Sequence, residues 1–207
     1  TDTTQLTYSL TGPRGSEVSN LPFAQDQLLN LPAGTYQLTI AGVGTATGSY
    51  SFQLLDVATA AVPITPGSPV NGVLDNLGRE TDIFSFNATA GQRFFFDAQS
   101  SGTGVNWSLV GPLGNTVFSP QPFADVDTTT LTLTGTYTVR IIGLTSNTTP
   151  INYTFNVVPV TDTTQAINLG ETITANLQIG QKRNYIVTAP SGTLVTFDPL
   201  TNNPNFT

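Results

Sequence analysis

The phrase YSLTGPRG, beginning at Tyr8, returns as WSLVGPLG beginning at Trp107, and this internal repeat constrains the chain more than any feature of its composition. The match continues in order through PFA at Pro22 and Pro122, GTY at Gly34 and Gly135, and Tyr50 with Tyr153. The offset drifts from 99 to 103 residues along the way, as expected when small insertions collect in loops between fixed elements. A second match joins DIFSFNATAGQRFFFD, starting at Asp82, to NYIVTAPSGTLVTFD, starting at Asn184, with Phe84 over Tyr185 and Asp97 over Asp198. The chain therefore reads as one complete unit over residues 58–160, the back half of a preceding unit over 1–57, and the front half of a following unit over 161–207.

Each unit is read as all-β. Tyr137, Val139 and Ile141 alternate with Thr136, Thr138 and Arg140; Phe84, Phe86 and Ala88 alternate with Ile83, Ser85 and Asn87; Tyr153, Phe155 and Val157 follow the same rule. A period of two places one set on a buried face, and no stretch shows the helical period of 3.6. Gly- and Pro-containing turns such as TAGQ, PSGT and VGPLG punctuate the runs. Short strands at this spacing cover their apolar faces by pairing two sheets, so the expected fold is a tandem of antiparallel, jelly-roll-like β-sandwich units, one complete and two partial. The expected core of the complete unit holds Phe84, Phe86, Trp107, Leu109, Tyr137, Val139, Tyr153 and Phe155. Phe94 and Phe96 share one face of their strand and Phe95 takes the other. The stretch VATAAVPITPGSP, from Val57, reads as a linker.

Only 9% of the 207 residues are charged, and the net charge of −7 is spread without blocks of one sign. Six scattered basic residues cannot neutralise a run of phosphates or hold an anionic bilayer, which argues against nucleic-acid and polybasic membrane partners. No apolar run is long enough to insert in a membrane. Without His or Cys the chain cannot build a Ser-His-Asp or Cys-His site, and it lacks the nucleophile-elbow and phosphate-loop patterns, so no enzymatic role is expected.

In the order of these landmarks the unit resembles the bacterial pre-peptidase C-terminal domain. The residues that carry the resemblance are NGVLDNLGRETDIFSFNATAGQRFFFD, then WSLVGPLG, then GTYTVRI. The resemblance implies a secreted β-sandwich with an accessory or structural role, extracellular or at the cell surface. It also directs attention to Asp75, Glu80 and Asp82 as a candidate calcium site, since some members of the family bind calcium. The corresponding stretch of the last piece, NLQIGQKRNY, places Asn176, Lys182 and Asn184 near those positions, which confines such a site to one copy. Asp125 with Asp127 is a second acidic pair, but neither group has the spacing of a dedicated calcium loop, and solvated turn acids are the simpler reading. No other cofactor is expected. Asn87, Asn106, Asn147, Asn152 and Asn205 begin N-x-[ST] sequons, as chance supplies in a chain this rich in Asn and Thr.

The expected function is structural: a repeat segment of a large extracellular bacterial fibre, stalk or surface protein, whose half-units join identical copies or neighbouring repeats head to tail into a filament. The alternative is an adhesive or substrate-binding accessory module of a secreted hydrolase. A competing geometry folds residues 161–207 back onto residues 1–57 of the same chain.

Overall fold

The alternating runs of the central segment become nine strands: β4 (Val62–Pro63), β5 (Val70–Leu74), β6 (Thr81–Ala88), β7 (Arg93–Ala98), β8 (Val105–Val110), β9 (Thr116–Pro122), β10 (Val126–Thr130), β11 (Gly135–Gly143) and β12 (Ile151–Val160). They come from a computed structural model that describes residues 5–24, 26–100 and 103–201; Asn205 lies outside the described residues. One sheet has the order β4-β6-β11-β8-β9 and the other β10-β7-β12-β5. Their inner faces share a single apolar core, so the central segment is an all-β sandwich.

Every residue expected inside is inside. Trp107, Leu109, Val139, Tyr153 and Phe155 are essentially inaccessible, and Phe84, Phe86 and Tyr137 are buried. Rings from the two sheets meet edge to face: Phe84 with Phe155 at 5.3 Å, Phe86 with Phe94 at 5.3 Å, and Trp107 with Phe96 at 6.3 Å. Edge-to-face contacts place a positive ring edge on a negative face and add to the burial of area. Phe95, on the opposite face of β7, is only half-buried. Gly72 in β5 has a steric reason, because a Cβ there would run into the Tyr153 ring. Gly91 adopts φ +90° in the TAGQ turn, where the Gln92 side chain accepts from the Thr89 N–H at 2.7 Å.

The structure departs from the sequence reading in two places. The segment from Val57 is structured: Val57–Ala60 makes one helical turn capped by Asp56, and Val62–Pro63 joins β6 as a parallel edge strand. An edge position tolerates Pro because its missing donor would face away from the ladder. Second, β11 is buried on both faces. Arg140, Ile142, Ser108, Val110 and Ile83, all pointing away from the core, are nevertheless buried.

The cover comes in part from the first 57 residues, which belong to the same compact unit, Thr1–Pro159. Asp26 lies over this outer face. Its carboxylate accepts from Arg140 Nη2 at 2.6 Å and from the Thr81 hydroxyl at 2.7 Å.

The first segment forms β1 (Leu6–Gly12), β2 (Gly15–Pro22) and β3 (Gln37–Gly42), ordered β2-β1-β3. This is the order β9-β8-β11 of the central unit, strand for strand. The GTY landmark has the same role in both copies: the Tyr137 hydroxyl donates to the Leu133 carbonyl at 2.8 Å, and the Tyr36 hydroxyl to the Pro32 carbonyl at 2.5 Å. A tyrosine that ties a strand back to the chain four residues upstream is a recurring sandwich device.

The second compact unit, Val160–Thr207, contains β13 (Thr163–Ile167) and β14 (Arg183–Val187), paired in parallel from Thr163 with Arg183 to Ile167 with Val187. A parallel ladder also joins β4 and β6, where Val62 faces Phe84. Because Tyr185 is the counterpart of Phe84, β13-β14 repeats the β4-β6 pair.

Candidate functional site

The three acids singled out by the sequence lie near one another along the chain but turn to different partners. Asp75 follows β5 and is exposed; its N–H donates to Glu80 Oε1 at 2.5 Å across the short 3-10 turn Asn76–Gly78. Asp82 sits in β6 on the inner face, where Oδ2 accepts from the Tyr153 hydroxyl at 2.5 Å. Burial raises the pKa of the Asp82 carboxyl, the Tyr153 hydrogen bond lowers it, and the nearby Asp75 charge raises it, with a net upward shift. Tyr153 is raised as well, by burial first and then by its bond to Asp82. Glu80, Asp82 and Tyr153 line a shallow cavity of about 360 Å³ that also touches Gln53 and Leu55. Among the described residues no group of three His, Cys, Asp or Glu side chains is placed to hold a metal ion. Asp125 accepts from the Ala98 N–H at the end of β7 at 2.9 Å, and Asp127, within β10, from the Thr128 N–H at 2.6 Å.

The remaining unusual surface is apolar. In the first segment Phe23, Tyr50 and Phe52 reproduce a cluster of the central core. Phe23 meets Tyr50 edge to face at 5.6 Å and 70°, as Phe123 meets Tyr153 at 6.2 Å and 70°. Tyr50 stacks with Phe52 at 6.5 Å and 20°, as Tyr153 stacks with Phe155 at 6.3 Å and 26°. Burial separates the two copies: Tyr50 and Phe52 are 52% and 50% exposed, whereas Tyr153 and Phe155 are 1% and 0% exposed. Leu54 is exposed too, although its counterpart Val157 is buried.

The second unit also exposes apolar residues. Tyr185, Val187, Val195 and Phe197 are all exposed, Phe197 at 89%, while their counterparts Phe84, Phe86, Phe94 and Phe96 are buried in the central core. Large contiguous apolar exposure is uncommon on proteins that remain alone and marks interaction surfaces. Sequence reasoning reached these residues through the repeat. It missed the Asp26–Arg140 pair, for which a signal exists: Arg140 interrupts the apolar run GTYTVRIIG, where the first copy, GTYQLTIAG, has Thr39. Among the described residues no helix is long and apolar enough to cross a membrane.

No protein-family model matches the chain, and no curated protein matches it. Solved structures with partial likeness include PliG of Aeromonas hydrophila, a periplasmic inhibitor of g-type lysozyme, at 13% identity and a TM-score of 0.42, covering 48% of this chain and 96% of that one. PliG of Salmonella Typhimurium aligns at 20% identity and a TM-score of 0.37, covering 48% and 97%. A mutant of the Escherichia coli protein aligns at 17% identity and a TM-score of 0.37, covering 48% and 96%.

Proposed function

We propose that this chain is a structural repeat segment of an extracellular bacterial fibre, stalk or surface layer, built from units of the pre-peptidase C-terminal type and assembled head to tail. The observation that supports this most is the pair of matching deficits. Residues 1–57 present Tyr50, Phe52 and Leu54 in the open, and residues 161–207 present Tyr185, Val187 and Phe197, while the same positions of the central unit fill a closed core. A half-sandwich with a bare apolar face and free strand edges is driven to add strands from elsewhere. Residues 1–57 and residues 161–207 offer different surfaces, so the contact between copies is heterologous rather than two-fold, and a heterologous contact that does not close into a ring extends as a filament. The chemistry needed is burial and backbone pairing, and a surface rich in Thr and Asn and poor in charge suits lateral packing between such fibres.

Sedimentation velocity and negative-stain electron microscopy of the purified chain over a concentration series test this reading. Growth into linear polymers with rising concentration is expected. A monodisperse monomer at every concentration would overturn it.

A further inference from the structure

Taking the head-to-tail reading as given, the central unit prescribes how the two halves meet, strand by strand. In the four-stranded sheet β10-β7-β12-β5, β10 and β12 have their counterparts in residues 26–30 and 48–57 of the first segment. The strands β7 and β5 have theirs in residues 194–199 and 173–177 of the last. Strands from the two halves therefore alternate across this sheet, and each strand's neighbours all come from the other half. Neither half can form any part of it alone. The secondary structure agrees: residues 26–36, 46–56 and 188–200 contain no strand, and neither do residues 171–178, although their counterparts in the central unit are β10, β12, β7 and β5. The five-stranded sheet divides differently, into a block of three and a block of two. Both blocks are already formed, as β2-β1-β3 and as β13-β14.

We infer that a second copy of this chain completes the first by laying β14 antiparallel along the free edge of β3, while its residues 194–199 enter between residues 26–30 and 48–57. The register follows from β11 and β6, where Tyr137 faces Phe86, Val139 faces Phe84 and Arg140 faces Ile83. Transferred to the copies, Tyr36 faces Val187, Leu38 faces Tyr185 and Thr39 faces Asn184. Each transferred inner-face pair sets an aromatic ring against a branched aliphatic or leucine side chain, as Phe84 with Val139 does in the central unit, whereas Tyr137 with Phe86 is aromatic on both sides. Phe197 then fills the place of Phe96, beside Tyr8 where Phe96 stands beside Trp107. Residues 161–207 supply both the preformed parallel pair and the missing alternate strands in the order this edge requires; we assign them to a second copy, and completion within one chain is the outcome that a doubly substituted chain tests.

A chain without cysteine allows a clean test. Two single-cysteine variants, Thr39→Cys and Asn184→Cys, are mixed under mild oxidation, and Thr39→Cys with Ile186→Cys serves as the register control. A disulfide needs Cα atoms within about 7 Å, so the matched mixture should give a heterodimer in roughly tenfold or greater excess over the shifted one. Hydrogen exchange in the same samples should show protection of residues 46–56 and 188–200 appearing only on assembly. Polymers that form without the matched crosslink, or with the shifted pair favoured, would overturn the register and leave the head-to-tail reading standing. Absence of any oligomer would sink both. A doubly substituted chain that crosslinks only as a monomer would assign the completion to the same chain and overturn the second-copy inference.

Discussion

Phe155 and Phe52 occupy equivalent positions in two copies of one motif, and the difference in their surroundings sets a quantitative expectation. Phe155 is fully buried and in ring contact with Phe84, Trp107 and Tyr153. Truncation to Ala removes its transfer free energy and leaves a cavity, a loss of about 3–5 kcal/mol. Phe52 is 50% exposed and its outer side borders water, so Phe52→Ala leaves no closed cavity. Half of the roughly 1.5–3 kcal/mol for full burial of such a side chain is about 1 kcal/mol. In urea melts at dilutions where the chain is monomeric, followed by the emission of the sole tryptophan, Trp107, Phe155→Ala should be the more damaging by at least about 2 kcal/mol. Association should rank the two oppositely. On the proposed head-to-tail assembly the half of Phe52 still in water is buried at the junction, so Phe52→Ala should weaken each junction by about 1 kcal/mol or more, roughly a fivefold to tenfold loss in the association constant. Equal costs in the monomer would mean that the Phe52 face is already closed, and unchanged association would mean that it is not the face that closes.

Asp26→Ala should destabilise the chain by about 1–3 kcal/mol, below the cost of breaking a fully buried ion pair, because Asp26 keeps 34% of its side-chain exposure while Arg140 keeps only 7%. Arg140→Met in the Asp26→Ala background should recover most of that loss, and a double-mutant cycle in urea measures the coupling. For Asp82 the folded-state pKa is raised, so the native chain binds the proton more tightly than the unfolded one. Its contribution therefore falls as pH rises from the ordinary aspartate range through the raised value. Asp82→Asn, which keeps an acceptor for Tyr153, should accordingly gain stability at neutral pH and little or nothing at acidic pH, and melting curves at the two pH values decide it. Glu80 and Asp82 already have partners within the fold, so neither calcium nor a chelator should shift the melting temperature; a rise of several degrees with calcium would restore the acidic turn as a metal site.

The features legible in the sequence are those written by local periodicity. Alternation on β6, β8, β11 and β12 identifies the inner residues because a strand has no choice but to turn successive side chains to opposite faces. The sequence match identifies the exposed apolar residues of the two end segments, since Tyr50, Phe52, Tyr185 and Phe197 align with residues of the central core. What escaped was written at long range. Arg140 is paired because Asp26, more than a hundred residues away, reaches the back of β11, and nothing within the strand announces it. The segment from Val57 carried the composition of a linker, yet Val62 and Pro63 need only an edge to join a sheet. At the acidic turn, proximity along the chain did not show which way each side chain faces: Asp82 turns inward to Tyr153, while Glu80 closes on the backbone of Asp75.

A polymer joined in this way has a direction, and its two ends fail differently. Phe52→Asp places a charge on the receiving face, and burying an unpaired charge is prohibitive, but it leaves β13, β14 and Phe197 free to complete another copy. Phe197→Asp spoils the donated segment and leaves the receiving face intact. Neither variant should polymerise alone, since each lacks one of the two surfaces that every interior copy must use. Mixed in equal amounts, they should pair once, Phe52→Asp donating and Phe197→Asp receiving, and stop at a heterodimer because both remaining surfaces carry the charge. Added in small proportion to the unmodified chain, either should shorten polymers by capping one end, and capped ends cannot be extended by adding more of the same variant. Analytical ultracentrifugation separates these outcomes. Dimers of a single variant would imply a two-fold contact, and long polymers from the mixture would imply that Phe52 and Phe197 do not meet at the same junction.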